Sequence, residues 1–153
     1  MLNIVLFSPE IPGNTGSVGR TCVALDLKLI LIHPLGFDID EKAVRRAGLD
    51  YWKHVNLIEY KSWNEFLLTE NPDNDSLFFF SKGGKKVIFE GKFNENSYLI
   101  FGSETKGLPE EILESFKDRT FHLPQNDGPI RSLNLSNVAT AAAYEALRQI
   151  RYS

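Results

Sequence analysis

Short apolar runs stopped by proline, glycine or a charge set the tightest limit on what this chain folds into. Leu2–Phe7 ends at Ser8-Pro9 and Lys28–His33 ends at Pro34; Leu77–Phe80, Tyr98–Phe101 and Thr120–Leu123 are runs of the same kind. Each is too short for a buried helix and apolar enough for a strand covered on both faces. A further strand is expected near His54–Tyr60. Helical stretches fall between them: Val18–Leu27 after the turn residues Pro12-Gly13-Asn14-Thr15-Gly16, a charged solvated stretch Asp40–Gly48, and a short helix Pro109–Phe116 with proline in its first turn. Ser62-Trp-Asn-Glu65 has capping-box spacing, in which each side chain takes a free amide of the other residue. The longest helix runs from Asn134 to Arg151, with Leu135, Val138, Ala139, Ala142, Ala143, Ala146, Leu147 and Ile150 forming one apolar stripe. This alternation predicts an α/β fold: a mostly parallel sheet with helices on both faces.

With 153 residues, one domain spanning 1–153 is expected. The 17 Lys and Arg against 20 Asp and Glu give a net charge of −3, which excludes binding of nucleic acid through bulk positive charge; such a partner needs a local basic patch. Cys22 is the single cysteine, so there is no internal disulfide and no cysteine-rich zinc site, and His33, His54 and His122 lack metal-ligand spacing. No metal is expected. The opening residues read as a first strand with no basic leader, and no apolar run approaches the ~20 residues of a membrane helix. The expectation is a cytoplasmic protein without membrane association.

Ligands of open α/β sheets bind at the carboxyl ends of strands, and three loops at such ends have unusual composition. The first, Pro9 to Arg20, carries glycines at 13, 16 and 19; this spacing is neither the dinucleotide fingerprint nor a Walker loop. It reads as a nucleotide loop or as a glycine-rich turn before a helix. The second, Phe101-Gly-Ser-Glu-Thr-Lys-Gly-Leu-Pro109, puts Gly102 at a strand end, where a ligand can approach the backbone. Glu104 there reads as a base, a hydrogen-bond acceptor or a helix-capping anion. The third, Leu123 to Asn137, gathers Arg131, Ser132, Asn134 and Asn137 at the mouth of the alanine-rich helix. One Ser or Asn caps that helix. Arg131 opposes the helix dipole and so points to an anionic partner.

Asn14-Thr-Gly with Arg20, the Phe101–Pro109 segment, and Arg131-Ser-Leu-Asn-Leu-Ser-Asn137 together resemble the three motifs of the SPOUT (SpoU–TrmD) RNA methyltransferases. Ile11-Pro12, Arg45-Arg46-Ala-Gly-Leu-Asp-Tyr51 and Tyr144-Glu145-Ala146 are similar to the small TrmL/YibK-like branch, which methylates the ribose 2′-hydroxyl of the tRNA wobble nucleotide, a cytidine or modified uridine. The resemblance covers the whole chain. It implies a deep C-terminal trefoil knot within about residues 77–153, although knots are essentially absent from other folds. It further implies S-adenosylmethionine as cofactor, S-adenosylhomocysteine as product, and a pocket lined by Phe79, Gly102, Leu123 and Ser132, with Ile130 and Leu133 adjacent. Arg20 becomes the favoured catalytic residue, with Asn14 and Glu104 supporting it and Asn134 holding the site. An arginine is a poor base because its side chain keeps its proton, so Arg20 is assigned to orienting the hydroxyl or a phosphate. Gln125 stands where relatives often place an apolar residue.

Basic residues that would hold the phosphates of an anticodon stem-loop are Arg45, Arg46, Lys82 and Arg131, with Lys85 and Lys86 beside them. Members of the family are dimers with shared sites, so a homodimer is expected, with Arg20 serving the partner's cofactor. Two other classes compete: a nucleotide-binding oxidoreductase of doubly wound fold, and a tRNA-binding module without turnover.

Overall fold

The computed structural model describes residues 1–46 and 49–153. Seven parallel strands form one sheet: β1 (Asn3–Phe7), β2 (Lys28–Ile32), β3 (Asn56–Tyr60), β4 (Leu77–Phe80), β5 (Lys86–Val87), β6 (Tyr98–Phe101) and β7 (Thr120–His122), in the order β3-β2-β1-β6-β4-β7-β5. The chain builds outward from β1 to β3, crosses to β4, and later inserts β6 between β1 and β4. The order therefore reverses beside β1, and the carboxyl ends of β1, β6, β4 and β7 stand side by side. A crevice forms at such a reversal in open α/β sheets.

Helices cover both faces. One face holds α1 (Pro12–Leu25) and α5 (Leu135–Arg151), with Val18, Cys22 and the alanines 139, 142, 143 and 146 against Ile4, Leu6, Leu29, Phe78, Phe80 and Phe101. The other holds α3 (Trp63–Glu70) and α4 (Glu110–Ser115), with Phe66 and Ile112 against Val5, Ile30, Phe79 and Ile100. The short α2 (Glu41–Arg46) precedes a 3₁₀ turn at Asp50–His54. The last two residues expected in the α2 stretch, Ala47 and Gly48, lie outside the described residues. No helix among the described residues is long and apolar enough to cross a membrane.

Four local expectations differ from the structure. Helix α1 starts at Pro12, so the glycine-rich segment is its first two turns and not a loop. The strand expected from His54 begins at Asn56, after the 3₁₀ turn. At α3, Ser62 accepts from the Glu65 amide at 3.1 Å as expected, but the Glu65 carboxylate takes the amide of Lys61, one residue earlier, at 2.5 Å. Strand β5 has two residues, too few to leave a periodic signal.

Candidate active site

The loops after β1, β4, β6 and β7 surround a cavity of about 910 Å³, walled by Phe80, Leu123, Leu133, Leu135 and Val138 and rimmed by Asn14, Lys82, Glu104, Arg131 and Asn134. A second hollow of about 820 Å³ adjoins it, formed by residues 122–131 and Lys82. These loops are held by contacts between residues far apart in sequence. The Glu104 carboxylate accepts from the amides of Glu10 and Ile11, both at 2.8 Å, and from Asn14 Nδ2 at 3.2 Å. Ile11 is the N-cap of α1 and has no side-chain oxygen to offer its helix. Glu104 thus supplies from across the fold the anion that helix N-termini favour. Three donors converge on its two oxygens and tie the second loop to the start of α1.

Glu10 returns the contact. Its Oε1 accepts from the Thr105 amide at 3.1 Å and the Thr105 hydroxyl at 2.7 Å. Those bonds hold the Glu10 carboxyl below the usual carboxylate range. Asn134 joins the third loop to the pair: its Nδ2 donates to Asn14 Oδ1 at 2.9 Å, while its Oδ1 caps α5 through the amides of Ser136 and Asn137 at 2.9 and 3.3 Å. Asn134–Asn14–Glu104 is therefore one continuous hydrogen-bonded line joining the start of α5, the first turn of α1 and the loop after β6.

The glycines serve this geometry differently from the expectation. A Cβ on Gly102 would lie 2.1 Å from the backbone carbon of Gly107, so the loop folding back on itself also requires glycine at 102. Gly107 makes that return with φ +67°, a conformation natural to glycine. Gly16 and Gly19 face Leu49 and Trp52 inside a helix. Two of the three glycines behind the oxidoreductase reading thus clear space for packing, and Gly13 meets nothing within 4 Å.

Of the residues expected at the site, Asn14, Lys82, Gly102, Glu104, Leu123, Arg131, Ser132, Leu133 and Asn134 line the main cavity, and Ile130 lines the adjoining hollow. Phe79 does not. It is fully buried on the opposite face, stacked on Phe116 with ring centroids 4.7 Å apart, and its neighbour Phe80 takes the cavity position because successive strand residues face opposite ways. Arg20 also lies outside this cavity. It is six residues beyond Asn14 on α1, about 9 Å along the helix and on another side of it. Arg45 and Arg46 end α2, away from the lining. Lys106, the basic residue of the second motif, also lines the cavity, as do Ser81 and Thr105, which the sequence does not mark. Ser81 follows a strand end, a positional signal that would have found it. Gln125 donates from Nε2 to the carbonyls of Ile130 and Arg131 at 3.2 and 3.4 Å, spanning its own loop. Among the described residues no group of three or more His, Cys, Asp or Glu could hold a metal ion.

The sequence profile of the SpoU rRNA methylase family matches residues 1–144. A tRNA (cytidine(34)-2'-O)-methyltransferase of Saccharophagus degradans is 44% identical over 154 residues, covering 100% of this chain and 98% of the relative. A solved structure described as giving structural insights into the 2-OH methylation of C/U34 on tRNA is 48% identical, with a TM-score of 0.88, covering 97% of this chain and 95% of that one. The SpoU methyltransferase AviRb from Streptomyces viridochromogenes, in complex with the cofactor AdoMet, is 28% identical with a TM-score of 0.80, covering 97% of this chain and 57% of that one. A profile match over nearly the whole length, on a seven-stranded parallel sheet with three loops clasped around one cavity, places this chain in the SpoU rRNA methylase family.

Proposed function

We propose that this protein uses S-adenosylmethionine to methylate the ribose 2′-hydroxyl of the wobble nucleotide, position 34, of tRNA. The observation that carries the reading is the Asn134–Asn14–Glu104 line, which brings all three motifs to the wall of one cavity. The named relatives support the substrate: the 44% identical protein is a tRNA (cytidine(34)-2'-O)-methyltransferase.

The cavity suits such a cofactor. Its 910 Å³ falls within the roughly 300–1,000 Å³ usual for small-molecule sites. Leu123, Leu133 and Val138 offer faces for a base, and the turns at Gly102 and Ser132 offer backbone polar groups for its edge. Phe80, not Phe79, stands in this wall, and Ile130 lines the adjoining hollow. When bound, S-adenosylmethionine supplies an electrophilic methyl group and leaves as S-adenosylhomocysteine. The chain's own task is then to orient a sugar hydroxyl and let its proton depart. Asn14 and Asn134 edge that space, Glu104 fixes the turn that carries Asn14, and Arg20 orients the hydroxyl or an adjoining phosphate. Lys82 and Arg131 at the rim, with Arg45 and Arg46 on α2, hold the anticodon stem-loop.

Arg20 acts on the cavity of a second copy in a homodimer. What supports this is its exposed place on α1, clear of its own cavity, and the exposed apolar Ile11, Leu133 and Tyr144 on and beside α1 and α5. The chain is one domain whose C-terminal part, within about residues 77–153, forms a trefoil knot. The late insertion of β6 between β1 and β4, with α5 packed on α1 and β6, supports that path. The protein works in the cytoplasm, where its tRNA is.

The test is incubation with tRNA lacking this modification and methyl-labelled cofactor, followed by mapping of 2′-O-methyl nucleotides by mass spectrometry. Label is expected at position 34. Tight tRNA binding with no transfer would instead identify a non-catalytic tRNA-binding module.

A further inference from the structure

Arg20 lies clear of its own cavity, so what aims it must come from its surroundings, and these include an aromatic ring. Its guanidinium carbon lies 5.4 Å from the centroid of the Tyr51 ring, within cation–π range. The ring is itself tethered to the helix: the Tyr51 hydroxyl donates to the Gly16 carbonyl at 2.6 Å, one turn before Arg20. Tyr51 thus touches α1 at two successive turns, with its hydroxyl at the first and its face under the arginine at the second.

Two glycines make this approach possible. A Cβ on Gly16 would come within 3.1 Å of Leu49 and 3.4 Å of the Tyr51 hydroxyl, and one on Gly19 within 2.5 Å of the Trp52 ring. The segment 49–52 can lie against α1 only where the helix has no side chains. Gly16, Gly19 and Arg20 on the helix, and Leu49, Tyr51 and Trp52 opposite, are complementary halves of one contact. Burial raises the Tyr51 phenol above its ordinary range, and the charge of Arg20 opposes part of that rise, as expected for a cation held at the ring.

We infer that Tyr51 is a positioning residue for the methyl-transfer reaction: tethered to Gly16, its ring restricts Arg20 to the orientation in which it meets the substrate. A free arginine on a helix surface samples many rotamers, and a ring beneath it removes much of that freedom before substrate arrives. This rests on the role proposed above for Arg20.

The experiment compares Tyr51→Leu, which removes ring and tether, with Tyr51→Phe, which keeps the ring. Tyr51→Leu should lower kcat roughly tenfold and Tyr51→Phe about two- to threefold. S-adenosylhomocysteine affinity should not change, because Tyr51 is not part of the cavity wall. The Arg20 Nε–H resonance should carry a ring-current shift in the wild type that is reduced in Tyr51→Phe and lost in Tyr51→Leu. On an Arg20→Lys background the Tyr51→Leu effect should shrink to twofold or less, which a merely structural role would not produce.

Full kcat in Tyr51→Leu, an undiminished effect on the Arg20→Lys background, or a parallel loss of cofactor affinity would each overturn the inference. Should Tyr51→Leu fail to fold, Tyr51→Phe decides, and an unchanged kcat with an unchanged Arg20 resonance would overturn it. Normal turnover by Arg20→Ala would remove the role of Arg20 and this inference with it. An inactive Arg20→Ala beside a fully active Tyr51→Leu would overturn this inference alone.

Discussion

The two faces of the sheet are built from different materials. Beneath α3 and α4 the filling is aromatic: Trp63 stacks on Phe66 at 5.0 Å, Phe79 on Phe116 at 4.7 Å, and Tyr98 meets Phe66 edge-on at 5.4 Å. Beneath α1 and α5 the helices bring alanine, valine, leucine and cysteine, and the rings Phe78, Phe80, Phe93, Phe101 and Phe121 come from outside those helices, Phe80 stacking on Phe101 at 4.9 Å. Among the described residues none of α3 or α4 lines the cavity, whereas α1 and α5 both contribute to it. Small residues let two helices press close together, and the first turn of each ends at the cavity, where Asn14 and Asn134 meet. Both faces bury a core, and the helices of only one of them reach the cavity.

Substitutions can break that division, beginning with the largest effect. Phe66→Ala, at a fully buried ring in the aromatic face, should cost about 3–5 kcal/mol in urea unfolding. Cofactor affinity of the folded fraction should not change, and a selective loss of affinity would join the two faces functionally. Glu104→Ala removes the acceptor for two amides and Asn14, and should lower kcat/KM on tRNA roughly a hundredfold while the protein stays folded. Turnover within threefold of wild type would show that the clasp is dispensable. Phe79 and Phe80 are adjacent yet belong to different faces. Phe80→Ala should weaken S-adenosylhomocysteine binding by roughly tenfold in calorimetry, an estimate from the loss of one apolar wall, and Phe79→Ala should lower stability and leave affinity intact. The reverse pattern would restore Phe79 to the pocket.

A subtler effect concerns Glu70, which accepts from the Tyr60 hydroxyl and from the Tyr98 hydroxyl at 2.7 Å. Burial first, and the Glu70 carboxylate second, push both phenols above their usual range. The folded state therefore keeps these protons longer than the unfolded chain. Their contribution is complete below the ordinary phenol value of about 10 and is lost as pH rises above it. Denaturation midpoints should fall in this range, and less steeply in Tyr98→Phe; an equal slope would contradict the linkage. Smallest of all, burial pushes the Cys22 thiol up to about 12, so a thiol reagent at pH 8 should label it no faster than the protein unfolds. Rapid labelling of native protein would show that the face under α1 opens.

The layered fold was legible because its strands are apolar runs with clean stops, and the site was legible as loops with unusual composition. Two misses have physical causes. Leu77–Phe80 is buried at every position, so it shows no alternation from which to tell which phenylalanine faces the cavity. The start of α1 was hidden because Pro-Gly-Asn-Thr-Gly reads locally as a turn, and the carboxylate that caps it comes from Glu104, more than 90 residues away. That a Ser or Asn caps α5 is legible because this cap is local, Asn134 reaching amides within three residues. What a chain stabilises through its neighbours in sequence can be read from the sequence, and what it stabilises across the fold cannot.

The claim on which all of this depends is that the cofactor sits on the α1/α5 side, among the loops after β1, β4, β6 and β7. Titration of S-adenosylhomocysteine followed by amide chemical shifts tests it directly. Saturable shifts centred on residues 80–82, 102–107, 123 and 131–135, with 63–70 and 110–116 undisturbed, are the expected result. Shifts centred on α3 and α4, or no saturable shift, would contradict it.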